Sequence, residues 1–263
     1  MGVKGAAYAT VAAQAFSGIL CVIYMKKRYE ILSSESREQW LNRQDVQELL
    51  VTGLPMGLQS SITAIGSVML QSAVNMLGIV YVSAYTAVSK IKQFTINPYI
   101  ALDTAVTTFT SQNYGAGKLD RVSRGLKAGM AVFAVYSVVI GVFLTFAGDK
   151  IALIFVDASE TEVIGYVQMF FRYCGMFYLV VIVLDTLRSV IQGLGYSIAS
   201  MAAGICEFVC RAVMSLWLIP LYSYTAVCFT DASAWIAAAL CVSIMYPFIM
   251  RKIRKQQTEA GQH

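Results

Sequence analysis

Lys90, Gln93 and Asn97 recur at spacings of three and four, and Asp103 follows six residues later. On a helix the first three share one face. Asp185 and Glu207 lie further along the chain, and each is followed within four residues by an arginine, Arg188 or Arg211. Carboxylates, amides and an ammonium group in such spacing suit the binding of an ion or of an organic cation. They do not suit covalent catalysis. The sole histidine is the terminal His263, which excludes a Ser-His-Asp triad, a HExxH zinc site and an intramembrane Ser-His dyad. The six cysteines lie scattered in apolar segments with no CxxC pair, and Cys206 and Cys210, one helical turn apart, read as packing residues. No enzyme, organic cofactor or bound metal is expected, and no nucleic-acid partner.

The elements that must hold these residues are membrane spans. Hydrophobic residues make up 57% of the chain and charged residues 13%, about half the charged share of a soluble domain. Uncharged runs cover 5–25, 49–89, 128–148, 189–206, 212–230 and 232–250. About 20 apolar residues cross a bilayer as helix, with every backbone polar group satisfied internally. The run 49–89 is long enough for two helices, with a turn expected at Asn75–Gly78. Adding two charge-bearing spans gives about seven, near 5–25, 49–75, 80–111, 122–147, 162–191, 198–220 and 231–250. The expected fold is an all-α, polytopic helical membrane protein.

The stretch "TSQNYGAGKLDRVSRG" (110–125) looks like a phosphate-binding loop and is not one. Gln112 stands where GxxxxGK[ST] requires glycine, and Leu119 where it requires a hydroxyl. Gly115 and Gly117 instead permit the positive φ of a tight turn, and Asp120 fits the N-cap of the next helix. Lys and Arg favour the cytoplasmic side. Lys26, Lys27, Arg28, Arg37, Arg43, Lys118, Arg121, Arg124, Lys127, Arg188, Arg251, Lys252, Arg254 and Lys255 all fall on one side of the seven spans. The other side holds Lys4 and Lys150 with Asp149, Asp157, Glu160, Glu162 and Asp231. The N-terminus is therefore expected outside and the C-terminus in the cytoplasm.

An ionisable residue within a membrane is costly and usually faces a cavity or a partner. On the third span Thr86, Lys90, Gln93, Asn97, Thr104, Thr108 and Ser111 form one stripe. Lys92, Tyr99, Asp103 and Thr110 form a second, about 100° away. Pro98 is expected to kink this helix. The polar sector and the kink imply a water-accessible cavity; burial against polar neighbours is the alternative. The second span shows a neutral stripe from Ser60 to Asn75, and its Gly53 and Gly57 suit close helix packing. The fourth span is almost wholly apolar and reads as lipid-facing. Asp185, Arg188 and Gln192 share a face; Asp185 serves transport or pairs with Arg188. Glu207 and Arg211, at i and i+4, are expected to form a structural ion pair.

The first and last spans align without gaps at an offset of 225 residues, the weak repeat found in transporters built from two similar halves. The segments "GVKGAAYATVAAQ" (2–14), "GLPMGLQSSITAIGS" (53–67), "AYTAVSKIKQF…P" (84–98), "SQNYGAGKLDRV" (111–122), "VIQGLGYS" (190–197), "CEFVCRAV" (206–213) and "AWIAA" (234–238) occur in this order. With them the chain resembles the MATE (multidrug and toxic compound extrusion) transporters, nearest their DinF-like bacterial branch. The resemblance implies two six-helix bundles around a cleft. It also implies a proton- or sodium-coupled antiporter exporting organic, often cationic, drugs by alternating access.

Laid on that plan, residues 1–28 are the last helix of a first bundle. Residues 29–48 are a cytoplasmic linker, 49–255 the complete second bundle and 256–263 a cytoplasmic tail. About five helices of the first bundle have no counterpart, and "MGVKGAAYAT" opens straight into a span. The acidic residue that DinF-like members use in the first bundle is absent. The carboxylate positions of the other branch fall near Thr63 and Val181, so no coupling-ion site carries over. The expected partners are the bilayer of a bacterial inner membrane, a small organic cation or drug, and the missing bundle. Alone, the chain is expected not to transport. A non-transporting half-transporter or scaffold is the alternative, then a seven-helix receptor.

Overall fold

The computed structural model describes residues 2–28 and 42–260. Within the unit Met1–Glu48, α1 (Gly2–Arg28) is mostly apolar with no marked polar face and ends on Lys26, Lys27 and Arg28. The expected linker falls mostly outside the described residues. Its last residues, from Arg43, already belong to α2 (Arg43–Asn75).

The unit Leu49–His263 is a helical bundle. After α2 come α3 (Ile79–Gly115), α4 (Leu119–Ala152), α5 (Thr161–Gly175), α6 (Tyr178–Gly193) and α7 (Ser197–Val213). A π-helical turn at Met214–Leu218, the short α8 (Ile219–Tyr222) and α9 (Tyr224–Ala260) complete it. The turns match their chemistry: Gly78 (φ 121°), Gly117 (φ 71°) and Gly195 (φ 84°) adopt the left-handed conformations that join α2 to α3, α3 to α4 and α6 to α7. Gly115 is still helical, and Asp120 lies in the first turn of α4, whose N-cap is Lys118 with no side-chain cap bond.

Among the described residues five stretches are long and apolar enough to cross a membrane: Ala7–Arg28, Arg43–Asn75, Leu119–Ala152, Ser197–Tyr222 and Tyr224–Gln257. The pair α5–α6, bent by 56° at its break, is apolar enough taken together and makes six if the two helices form one span. α3 is long enough at 37 residues, but Lys90, Lys92, Gln93 and its other polar side chains keep it out of that set. It runs through Pro98 without interruption.

Three packing expectations change. α4 is not simply a lipid-facing helix. One face is exposed valine and phenylalanine, but Gly129, Phe133, Gly141, Leu144 and Gly148 on the other face are buried. A Cβ at Gly141 would sit 3.1 Å from the Gly175 carbonyl, so α4 meets the bend of the fifth span backbone to backbone. Among the described residues nothing stands within 4 Å of a Cβ built at Gly53 or Gly57; close packing of α2 occurs at Gly66, against Arg211 and Phe208, and where Gly204 of α7 receives Gln59. Finally, no loop precedes the last span. Pro220 cannot donate a helical hydrogen bond, and the preceding π turn absorbs the disruption. Ser223 alone, at φ 53°, then reverses the chain into α9. α9 therefore starts seven residues before the expected Asp231, which lies two turns inside it.

The loop between α4 and α5 is held by Asp157, whose Oδ1 accepts the Ser159 N–H (2.9 Å) and Oγ–H (2.8 Å). These bonds hold the Asp157 carboxyl below its ordinary range. The folded group is thus the stronger acid, and its contribution is present above the ordinary carboxylate pKa and lost as pH falls through the lowered one. Ser159→Ala removes one donor and should raise the Asp157 titration midpoint, read by NMR of the side-chain carboxyl.

Candidate functional site

α3 sorts its polar residues onto two sides. Lys90, Gln93 and Asn97, with Thr86, Thr104 and Thr108, are exposed and face away from the bundle's core. Tyr85, Tyr99 and Thr110 are buried, with Lys92 and Asp103 partly so. The second stripe is therefore the inward one.

Around it runs a chain of charges through four helices. Lys92 Nζ of α3 pairs with Asp231 Oδ2 of α9. Asp231 Oδ1 accepts from Arg211 Nη2 of α7 at 3.4 Å. Arg211 Nη1 donates to Glu207 Oε2 at 3.5 Å, the i,i+4 contact on α7. Glu207 Oε1 pairs with Arg188 Nη2 of α6. The circuit returns to α3 where Ser189 Oγ of α6 donates to Asp103 Oδ1 at 2.7 Å. Glu207 and Asp231 are each only 3% exposed. Carboxylates this deep persist only when paired and hydrogen-bonded.

Asp185 stands apart. Arg188 turns to Glu207 instead, and among the described residues Asp185 forms no salt bridge or hydrogen bond. It lies within electrostatic reach of Asp103, Arg188 and Glu207. The five charges from Lys92 to Arg188 sum to +1, and Asp103 and Asp185 bring the ionised cluster to −1. A neutral amide cluster adjoins it: Gln192 Nε2 donates to Ser200 Oγ (2.8 Å) and Gln59 Oε1 (3.3 Å), and Ser200 Oγ donates to Gln59 Oε1 (3.0 Å).

The geometry thus joins Asp103, Arg188, Glu207 and Arg211, sets Asp185 beside them, and leaves Lys90, Gln93 and Asn97 on the outer face. The sequence places Lys92 in a polar stripe without marking it as a site residue, sets Asp231 at the outer edge of the last span, and gives no sign of Gln59 or Ser200. Lys92 carried a signal, because it shares a helical stripe with Asp103. Asp231 carried a subtler one: the 20 residues before it include Pro220 as their only breaker, so a helix could include it.

Residues 55–217 match the family model described as MatE, more than half of the chain. The chain belongs to the MatE family. Two Bacillus subtilis (strain 168) proteins are similar to it. "Probable multidrug resistance protein YoeA" is 26% identical over 170 residues, covering 63% of this chain and 36% of that protein. "Probable multidrug resistance protein YpnP" is 27% identical over 224 residues, 83% of this chain and 49% of that protein. This MatE chain therefore spans half or less of the length of either relative. Among solved structures, the "Outward-facing conformation of a multidrug resistance MATE family transporter of the MOP superfamily" superposes with a TM-score of 0.86. That match has 19% identity and covers 96% of this chain and 57% of that one. A crystal structure of MATE in complex with MaL6 gives 0.85 at 17% identity, covering 97% and 58%. The fold is that of MATE transporters: a multi-pass membrane protein with bacterial relatives, in a family of transporters rather than enzymes.

Proposed function

We propose that this chain is the second bundle of a proton- or sodium-coupled antiporter that exports organic, often cationic, drugs by alternating access. The observation that carries the reading is the charge circuit inside a membrane bundle. An ionisable group at the bilayer centre costs about 2.5–3.5 kcal/mol on insertion scales, and seven of them converge here. The fold of MATE transporters and the multidrug-resistance names of two relatives support the drug class.

In this reading α1 is the last helix of a first bundle supplied by the same longer chain or by a partner. The N-terminus lies outside, the C-terminus lies in the cytoplasm, and the membrane is the bacterial inner membrane. The relatives' greater length supports the missing bundle. Lys90, Gln93 and Asn97, exposed on α3, line the cleft that a first bundle would close. Asp103 connects that helix to the interior circuit, with Asp185 and Glu207 behind it.

The test is drug export by cells carrying this chain joined to a complete first bundle, with and without Asp103→Asn. The substitution weakens the bond from Ser189 and removes one charge, and a hydrogen bond to a charged group is worth about 1.5–3 kcal/mol. Export should fall on the order of tenfold at equal expression. Unchanged export would remove Asp103 from the mechanism. The chain by itself should confer no resistance, because it has no opposing bundle to rock against; resistance from it alone would sink the half-transporter reading.

A further inference from the structure

Three hollows line up along the seam between α3 and α4. The first, about 300 Å³, is polar and is bordered by Ser83, Thr86, Lys90, Asp157 and Glu160. The second, about 480 Å³, lies among Ile91, Phe94, Ile140 and Phe143. The third, about 800 Å³, lies among Pro98, Ala101, Val132, Val135 and Val139. Phe155 borders the first and second, and Tyr136 the second and third, so the three lie end to end along one grooved seam with a polar end.

Its length is informative. The apolar part follows α3 from Ile91 to Leu102, 11 residue steps or about 17 Å at 1.5 Å per residue. That is roughly half of a ~30 Å hydrocarbon core, the depth of one leaflet. The flanking face of α4 belongs to the most apolar span in the chain, and Val135, Val139 and Phe143 are exposed on it. The polar groups within the apolar part are already engaged: Tyr136 Oη donates to the Thr95 carbonyl at 2.8 Å, and Thr95 Oγ1 to the Lys92 carbonyl at 2.9 Å. An occupant needs only hydrocarbon there.

The polar end is differently equipped. Among the described residues Lys90 forms no salt bridge or hydrogen bond, and it lines the same hollow as Asp157 and Glu160. A single cation would match a phosphate, and the two carboxylates an amine. We propose that this groove binds one membrane lipid with a zwitterionic aminophosphate headgroup, of the phosphatidylethanolamine type. The phosphate sits on Lys90, the ammonium on Asp157 and Glu160, and an acyl chain runs along α3 past Pro98. Lys90 stands on the edge that this groove shares with the cleft face proposed above; the lipid site itself rests on α3 and α4 lying in the bilayer and not on transport, so lipid retention and drug export are read separately.

The test is native mass spectrometry of the 263-residue chain in detergent, titrated with phosphatidylethanolamine or phosphatidylglycerol bearing identical chains. One phosphatidylethanolamine should be retained, with phosphatidylglycerol held about tenfold more weakly because it lacks the amine. Lys90→Ala should weaken retention by a similar factor. Ala101→Trp, which fills the exposed groove, should abolish it, while Ile244→Trp on the exposed face of α9 should not. Equal retention of the two lipids, or retention indifferent to both Lys90→Ala and Ala101→Trp, would overturn the proposal. So would dodecyltrimethylammonium binding equally to the chain and to Lys90→Ala while phosphatidylethanolamine does not bind, which would make the groove a site for amphiphilic cations.

Discussion

Asp231→Ala should destabilise the bundle by about 3–5 kcal/mol, the usual cost of removing one partner from a buried ion pair. Asp231 holds Lys92 on one oxygen and Arg211 on the other. Its loss strands the Lys92 ammonium, whose side chain is 16% exposed, and leaves Arg211, 8% exposed, with Glu207 as its one anion. Arg211 Nε is already buried without a hydrogen bond, so the guanidinium has little slack to find a new acceptor. The measurement is a thermal or denaturant unfolding transition of the chain in detergent. Lys92→Met combined with Asp231→Ala should recover part of the loss, because no ammonium is then stranded, while Arg211 still lacks its second anion. A single-variant cost below about 1 kcal/mol would mean that the interior is wet enough to solvate the freed charges.

This pair also marks where sequence reading ended. Composition and apolar run lengths were enough for an all-helical membrane protein, and glycines at 78 and 117 for two of its turns. The inward stripe of α3 was legible as a period, but which of the two stripes faced inward was not. That choice depends on what α4, α6 and α9 present to α3, and a single helix carries no record of it. Asp231 was misplaced for a related reason. A lone acidic residue between two uncharged runs looks like a loop, and only the one-residue reversal at Ser223 lengthens α9 enough to enclose it. The i,i+4 relation of Glu207 and Arg211 was visible because it is local. The contact from Arg188 to Glu207 spans two helices and was not.

Packing gives the second large effect, and it reverses the usual helix rule. Glycine to alanine inside a helix ordinarily gains up to about 1 kcal/mol of propensity. Gly193→Ala should instead lose about 1–3 kcal/mol, the range for overpacking a tight interior. A Cβ there would lie 2.6 Å from the Thr107 carbonyl oxygen and 2.7 Å from Thr110 Cβ. The first of these is backbone, so it cannot be relieved by a rotamer change, and α6 must move off α3. That displacement acts where Ser189 Oγ reaches Asp103 Oδ1 and Thr107 Oγ1 reaches the Ser189 carbonyl at 3.2 Å, so the link between α6 and the α3 carboxylate should loosen too. Gly165→Ala is the internal control: it lies inside α5, none of the described residues stands within 4 Å of its Cβ position, and it should stabilise the chain by about 0.5–1 kcal/mol. Opposite signs for the two variants in the same unfolding assay would place the close contact at the α3–α6 seam. The same sign for both would mean that the seam relaxes freely, and that the contact between Asp103 and Ser189 is not held by packing.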